Sequence, residues 1–155
     1  MTETATPLNE ATKLIAAGFD LASIEDVISA EVQLKRNGSP LPIFVTIAGP
    51  EHPNRKAFAF AKQRRMRQQL AKTGKVEFTD PVEDEQEETD LLAACLLGWR
   101  DANGNTALLV GGHYLDCTRD NAHKLLTDPK RAWFRRAVRA AFDDNEAFIV
   151  ASVTG

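Results

Sequence analysis

The sequence predicts a single-domain α+β fold, mainly helical, with about five helices and two short β-hairpins, and three observations predict it. The first is a change of period near residue 28. Ile28, Ala30, Val32 and Leu34 alternate with Ser29, Glu31, Gln33 and Lys35, the pattern of a strand with one wet face. The second is a pair of glycine turns, Asn103-Gly104 and Gly111-Gly112, flanking the apolar run 107–110. Both pairs supply the positive φ that tight turns require. The third is the spacing of Phe134, Ala137, Val138, Ala141 and Phe142, which places all five on one face of a helix. Together these divide the chain into an amphipathic arm over 1–27 and one domain over 28–155. Within that domain, 28–50 is a hairpin, 54–97 a pair of charged helices, and 98–142 a hairpin followed by the C-terminal helices.

In order along the chain, Thr6-Pro7 reads as an N-cap with Pro at the first helical position. Leu8, Ala11, Ile15 and Phe19 then share one side of a short helix, which either packs on its own domain or docks on a partner. Ser23 with Asp26 offers a second helix start. After the strand that begins at Ile28, Asn37-Gly38 turns the chain into a more apolar return strand over 43–48. Pro40 and Pro42 cannot donate to a ladder, so this strand is expected to offer an edge. His52-Pro53-Asn54 leads into a long helix from Arg55 to about Lys72, and Asp80-Pro81 starts the next. There Leu92, Cys95, Leu96 and Trp99 follow at helical spacing, so Cys95 and Trp99 read as core. Residues 108–110 and 113–115 form the arms of the second hairpin. Thr118 caps the following helix, Asp128-Pro129 ends it and begins the last one, and Asp143-Asp144-Asn145 leads to a short terminal piece ending in Phe148-Ile149-Val150.

Charge is segregated in a way that the net value of −3 conceals. Between Arg55 and Lys75 there are eight basic residues and no acid; Glu77 to Asp90 then holds eight acids. Three readings stand open. The acidic segment folds back along the basic helix, or each is a solvated face; one of the two patches binds a partner; or the basic helix binds nucleic acid. The last lacks a glycine-rich loop, helix-turn-helix spacing and aromatic residues interleaved with the arginines.

Composition bounds the rest. A chain of 155 residues with 43% hydrophobic and 26% charged residues can build a real core. No apolar run reaches the roughly 20 residues of a membrane span, and the first ten residues lack the basic start and apolar centre of a secretory signal. The expected location is the cytoplasm, where two cysteines, Cys95 and Cys117, stay reduced. A zinc site at His113 and Cys117 is not expected, because a strand holds them apart and no tight ligand pairs accompany them. No nucleophile motif or phosphate loop appears, so neither enzyme activity nor a cofactor is expected.

The order Leu-Leu-Ala-Ala-Cys (91–95), Gly98-Trp99, a glycine-turned pair of short strands, Cys117-Thr118-Arg119-Asp120-Asn121-Ala122, Leu125-Leu126 and Trp133 resembles the tail assembly chaperones of tailed phages and prophages. The resemblance covers roughly residues 30 to 150; Arg119 stands where such sequences often carry Pro. It implies a non-enzymatic protein in the bacterial host cytoplasm that binds the tape-measure protein, with the tail tube protein as a possible second partner. A homo-oligomer is expected, with no specific nucleic acid and no membrane. Alternatives are a structural protein of the tail or neck, or a small nucleic-acid-binding regulator. The candidate partner-binding residues are Leu8, Ile15 and Phe19 on the arm, Phe44 on the expected edge, Arg64, Arg65 and Arg67 on the basic helix, and Trp133.

Overall fold

A computed structural model of the chain describes residues 18–75 and 80–151. A 3-10 turn, Leu21–Ser23, is capped by the Asp20 side chain, which accepts from the Ala22 N–H at 3.0 Å. Strand β1 (Ile24–Asp26) follows directly, so Ser23 starts a strand and not the helix expected there. β2 (Ser29–Arg36) and β3 (Ser39–Ala48) form the first hairpin. Its turn places Asn37 at φ 50° and Gly38 at φ 80°, the paired positive values the Asn-Gly dipeptide predicts.

Two helices, α1 (Pro53–Thr73) and α2 (Pro81–Cys95), then separate β3 from β4 (Leu96–Asp101), which returns to the same sheet. The sheet order is β2-β3-β4, all antiparallel. β3 is therefore the central strand: residues 43–48 have a neighbour on both sides, and the edge expected there does not exist. The ladder with β4 begins at Ile43, and the Pro42 carbonyl accepts from the Ala102 N–H at 3.1 Å, so only the stretch 39–41 lies open on one side.

The second hairpin, β5 (Ala107–Val110) and β6 (His113–Asp116), turns through Gly111-Gly112 as predicted. α3 (Arg119–Thr127) is capped by the Thr118 hydroxyl, which accepts from the Asn121 N–H at 3.1 Å. A 3-10 turn, Pro129–Arg131, leads into α4 (Ala132–Asp143). A last 3-10 turn, Asn145–Phe148, delivers β7 (Ile149–Ala151) to β1, its antiparallel partner.

The class is α+β, but the expected count is corrected. The described residues hold four α-helices and seven strands in three small sheets, where about five helices and two hairpins were expected. Four of the expected helices form; the fifth, on the arm from Leu8, falls outside the described residues, and the added strands come from short apolar runs. Leu96 and Trp99 are buried while Leu97 is exposed, a pattern that fits a helix stripe and a strand alike; pairing with β3 selects the strand.

One core joins these elements. α4 lies across β2 and β3, setting Phe134, Val138 and Phe142 against Leu34, Val45 and Ile47. α2 and α3 add Leu92, Cys95, Leu125 and Leu126. Trp99 is 4% exposed, packs edge-on against Phe134 at 6.5 Å, and donates its ring N–H to the Leu115 carbonyl at 2.9 Å. That bond ties the second hairpin to the sheet and satisfies the only polar atom of the ring.

A candidate protein-binding groove

α1 is well made as a helix and poorly made as a core element. His52 caps it, its Nδ1 accepting from the Asn54 N–H at 3.1 Å; Pro53 opens it, and Gly74 closes it at φ 68°. Its 21 residues include seven cations, no acid, and no buried residue. Only its first turn is firmly held. Asn54 donates its side-chain amide to the Ala94 carbonyl at 2.8 Å. The Arg55 guanidinium lies 3.7 Å over the Phe142 ring and donates to the Phe142 carbonyl at 3.1 Å. Burial pushes the Arg55 pKa down, yet two carbonyl acceptors and a ring face suit its charged form.

α2 runs beside α1. Asp80 caps it through the Val82 N–H at 3.0 Å, and Glu83 and Asp84 in its first turn complement the helix dipole. Thr89 and Leu92 to Cys95 are buried, Asp90 stays exposed, and before Glu87 the helix is exposed. Its acids turn mainly towards α3 and α4. Glu85 and Glu88 face Arg135, Glu88 also faces Arg139 at 3.5 Å, and Asp90 lies 3.5 Å from His123. Among the described residues one ion pair, Arg65–Glu87, links α1 to α2. The acidic segment thus lies alongside the basic helix but spends most of its charge elsewhere, and Lys62, Arg64, Arg67 and Lys72 have no carboxylate partner among the described residues.

Between α1, α2 and the end of α4 runs an open groove of about 650 Å³. Its floor is apolar: Phe58, Met66, Leu91 and Phe142. The α1 wall is basic, with Lys62 and Arg65; the α2 wall is acidic, with Asp84, Glu87 and Glu88. A second recess of about 630 Å³ lies between the same two helices and is lined by Arg64, Gln68, Gln86 and Asp90. Phe58, Arg65 and Glu87 border both spaces.

The residues singled out from the sequence divide accordingly. Arg64 and Arg65 border these spaces, and Arg67 is exposed on the same helix. Phe19 is exposed just ahead of the first 3-10 turn. Phe44 is half-buried on the other face of the sheet, beneath the Arg100 guanidinium 4.0 Å from its ring. Arg100 in turn holds Glu31 through two hydrogen bonds of 2.6 and 2.9 Å, which lowers the Glu31 pKa. Trp133 is half-buried edge-on to Phe134 at 5.9 Å, so it supports the core. Leu8 and Ile15 lie outside the described residues. The sequence reading missed Phe58, Met66 and Leu91; the signal was present in the 3-4 spacing of Phe58, Lys62, Met66 and Gln69 along one side of α1.

Neither cysteine is poised as a nucleophile. Burial pushes the Cys95 thiol up to about 11, despite Arg55 nearby, and the Cys117 thiol likewise to about 11. Among the described residues no group of three or more His, Cys, Asp or Glu could hold a metal ion, and no helix is long and apolar enough to cross a membrane. No protein-family model, no curated protein and no solved structure matches the chain.

Proposed function

We propose that this chain is a phage tail assembly chaperone, a binding protein without catalytic activity that keeps the tape-measure protein soluble in the bacterial host cytoplasm while the tail is built. One observation carries the reading: a 21-residue helix with no buried residue stands over an open, apolar-floored groove. A helix in that position contributes little to its own fold, because helices in proteins draw most of their stability from packing an apolar face. It gains packing when a client helix fills the groove. The ordered resemblance over residues 91–133 supplies the client's identity, a long helical protein prone to aggregate when exposed. Several copies spaced along such a client, self-associating as they bind, raise the effective concentration of each groove; the tail tube protein is a second candidate contact.

A second reading, a structural protein of the tail or neck, draws on Leu109 and Tyr114. They are paired across the second hairpin and 61% and 62% exposed, a small apolar patch suited to a lasting interface.

Co-expression with a tape-measure protein from the same phage tests the first reading. The soluble yield of the client should rise with the wild-type chain and not with Met66→Asp, which charges the groove floor without touching the core. Client solubility indifferent to the wild-type chain would sink the proposal. Mass spectrometry of purified particles that finds the chain at stoichiometric copy number would favour the structural reading.

A further inference from the structure

The groove carries more information than its apolar floor, because its two walls have opposite sign. We infer that it selects an amphipathic helix whose apolar stripe is edged by acids on one side and by bases on the other, and that this charge pattern sets the direction in which the helix docks. The inference rests on the groove being the client site.

The occupant is a helix for a geometric reason. On α1 the lining residues Arg55, Phe58, Lys62, Met66 and Gln69 recur every three or four positions, a helix face spanning about 21 Å at roughly 1.5 Å per residue. Such a face meets another helix ridge against groove. Among the described residues the groove is bordered by α1, α2 and α4, and no strand edge of theirs lies along it for an extended peptide to join.

The charge pattern follows from the walls. A stripe laid over Phe58, Met66, Leu91 and Phe142 places one edge of the incoming helix against Lys62 and Arg65, and the other against Asp84, Glu87 and Glu88. Lys62 has no carboxylate partner among the described residues, so an acid on the client's first edge meets an uncommitted cation. Bases on the second edge extend a network in which Glu87 and Glu88 already bridge to Arg65 and Arg139. Turning a helix end for end exchanges its two edges, so only one direction satisfies both walls.

Fluorescent helical peptides of about 18 residues, titrated into the full chain by anisotropy, test this. One carries Glu on one edge and Lys on the other; two more carry Glu on both edges or Lys on both; a fourth has a polar stripe. The mixed peptide should bind tightest. Lys62→Glu should weaken it by about two- to fivefold, the range of one exposed ion pair, and should strengthen the all-Lys peptide by a similar factor. Exchanging the two edges of the mixed peptide should leave its affinity unchanged while moving a photo-crosslink at its N-terminus from one end of α1 to the other. Equal binding of all three apolar-striped peptides, insensitive to Lys62→Glu, would overturn the inference and leave the groove standing. Failure of every apolar-striped peptide to bind, or binding unaffected by Met66→Asp, would overturn the groove reading as well.

Discussion

Replacing Trp99 is the sharpest test of the packing described above, because near-complete burial, a ring contact and a hydrogen bond meet at one side chain. Its ring is 4% exposed, stacks edge-on against Phe134 at 6.5 Å, and donates to the Leu115 carbonyl at 2.9 Å. Trp99→Ala empties the ring's volume in the middle of the core, at about 3–5 kcal/mol, and leaves the Leu115 carbonyl without its donor, adding about 1 kcal/mol. Against the roughly 5–15 kcal/mol that holds a domain folded, that loss brings the chain close to unfolding. Trp99→Phe keeps most of the packing and removes only the donor and part of the ring, for about 1–2 kcal/mol. Trp133 provides the internal control. It touches Phe134 from a half-buried position, so Trp133→Ala should cost clearly less than Trp99→Ala. Urea titrations followed by far-ultraviolet circular dichroism measure all three on one scale, with equal slopes confirming that the unfolded state is unchanged. Should Trp99→Ala cost under about 1 kcal/mol, or Trp133→Ala cost as much as Trp99→Ala, the account of the core around β4 is wrong.

Three further outcomes are expected. A Cβ at Gly49 would stand 2.9 Å from Phe148 Cδ1 and 3.0 Å from the Val27 carbonyl, so Gly49→Ala should lower the melting temperature, with a loss of about 1–3 kcal/mol from overpacking; an unchanged melting temperature refutes the close approach. Burial raises both thiols from 9.0 to about 11, so the unfolded state releases their protons first. Stability from these groups is therefore complete below pH 9 and is lost as pH rises from 9 towards 11; Cys95→Ala combined with Cys117→Ala should flatten that decline in pH-dependent unfolding. Lys62, Arg64, Arg67 and Lys72 have no carboxylate partner among the described residues and no reading motif accompanies them, so any binding of duplex DNA should be weak and vanish near physiological salt. A complex that survives that salt with a sequence preference contradicts this.

Local signals in the sequence located most elements because each carries its own physics. Asn37-Gly38 and Gly111-Gly112 specify turns through positive φ, and both hairpins form where those dipeptides stand. Thr118, Asp80 and the 134–142 stripe specify helix starts and a buried face in the same local way. What was not legible was pairing at a distance. β4 pairs with β3 across two intervening helices, and β1 pairs with β7 across nearly the whole described chain. Three-residue strands such as β1 have no period to detect, and the run 91–97 is too uniformly apolar to declare where helix gives way to strand. β3 consequently passed for an edge, since its second neighbour arrives some fifty residues later in the chain.

The groove shows the same limit in electrostatic form. Two blocks of opposite charge, adjacent in sequence, invite the expectation that they neutralise each other, and the helices they form do lie side by side. Yet pairing depends on which faces meet, and α2 also meets α3 and α4. Arg135, Arg139 and His123 on those helices take Glu85, Glu88 and Asp90. The cost of each choice is small, since exposed pairs are worth only about 0–1 kcal/mol, but the consequence for binding is not. Because α4 engages part of the acidic block, five of the seven α1 cations, Arg55 among them, lack a carboxylate partner among the described residues, and α1 is joined to α2 by the Arg65–Glu87 pair. A helix that had neutralised its neighbour completely would present a sealed surface; this one leaves an apolar floor between two walls of opposite charge.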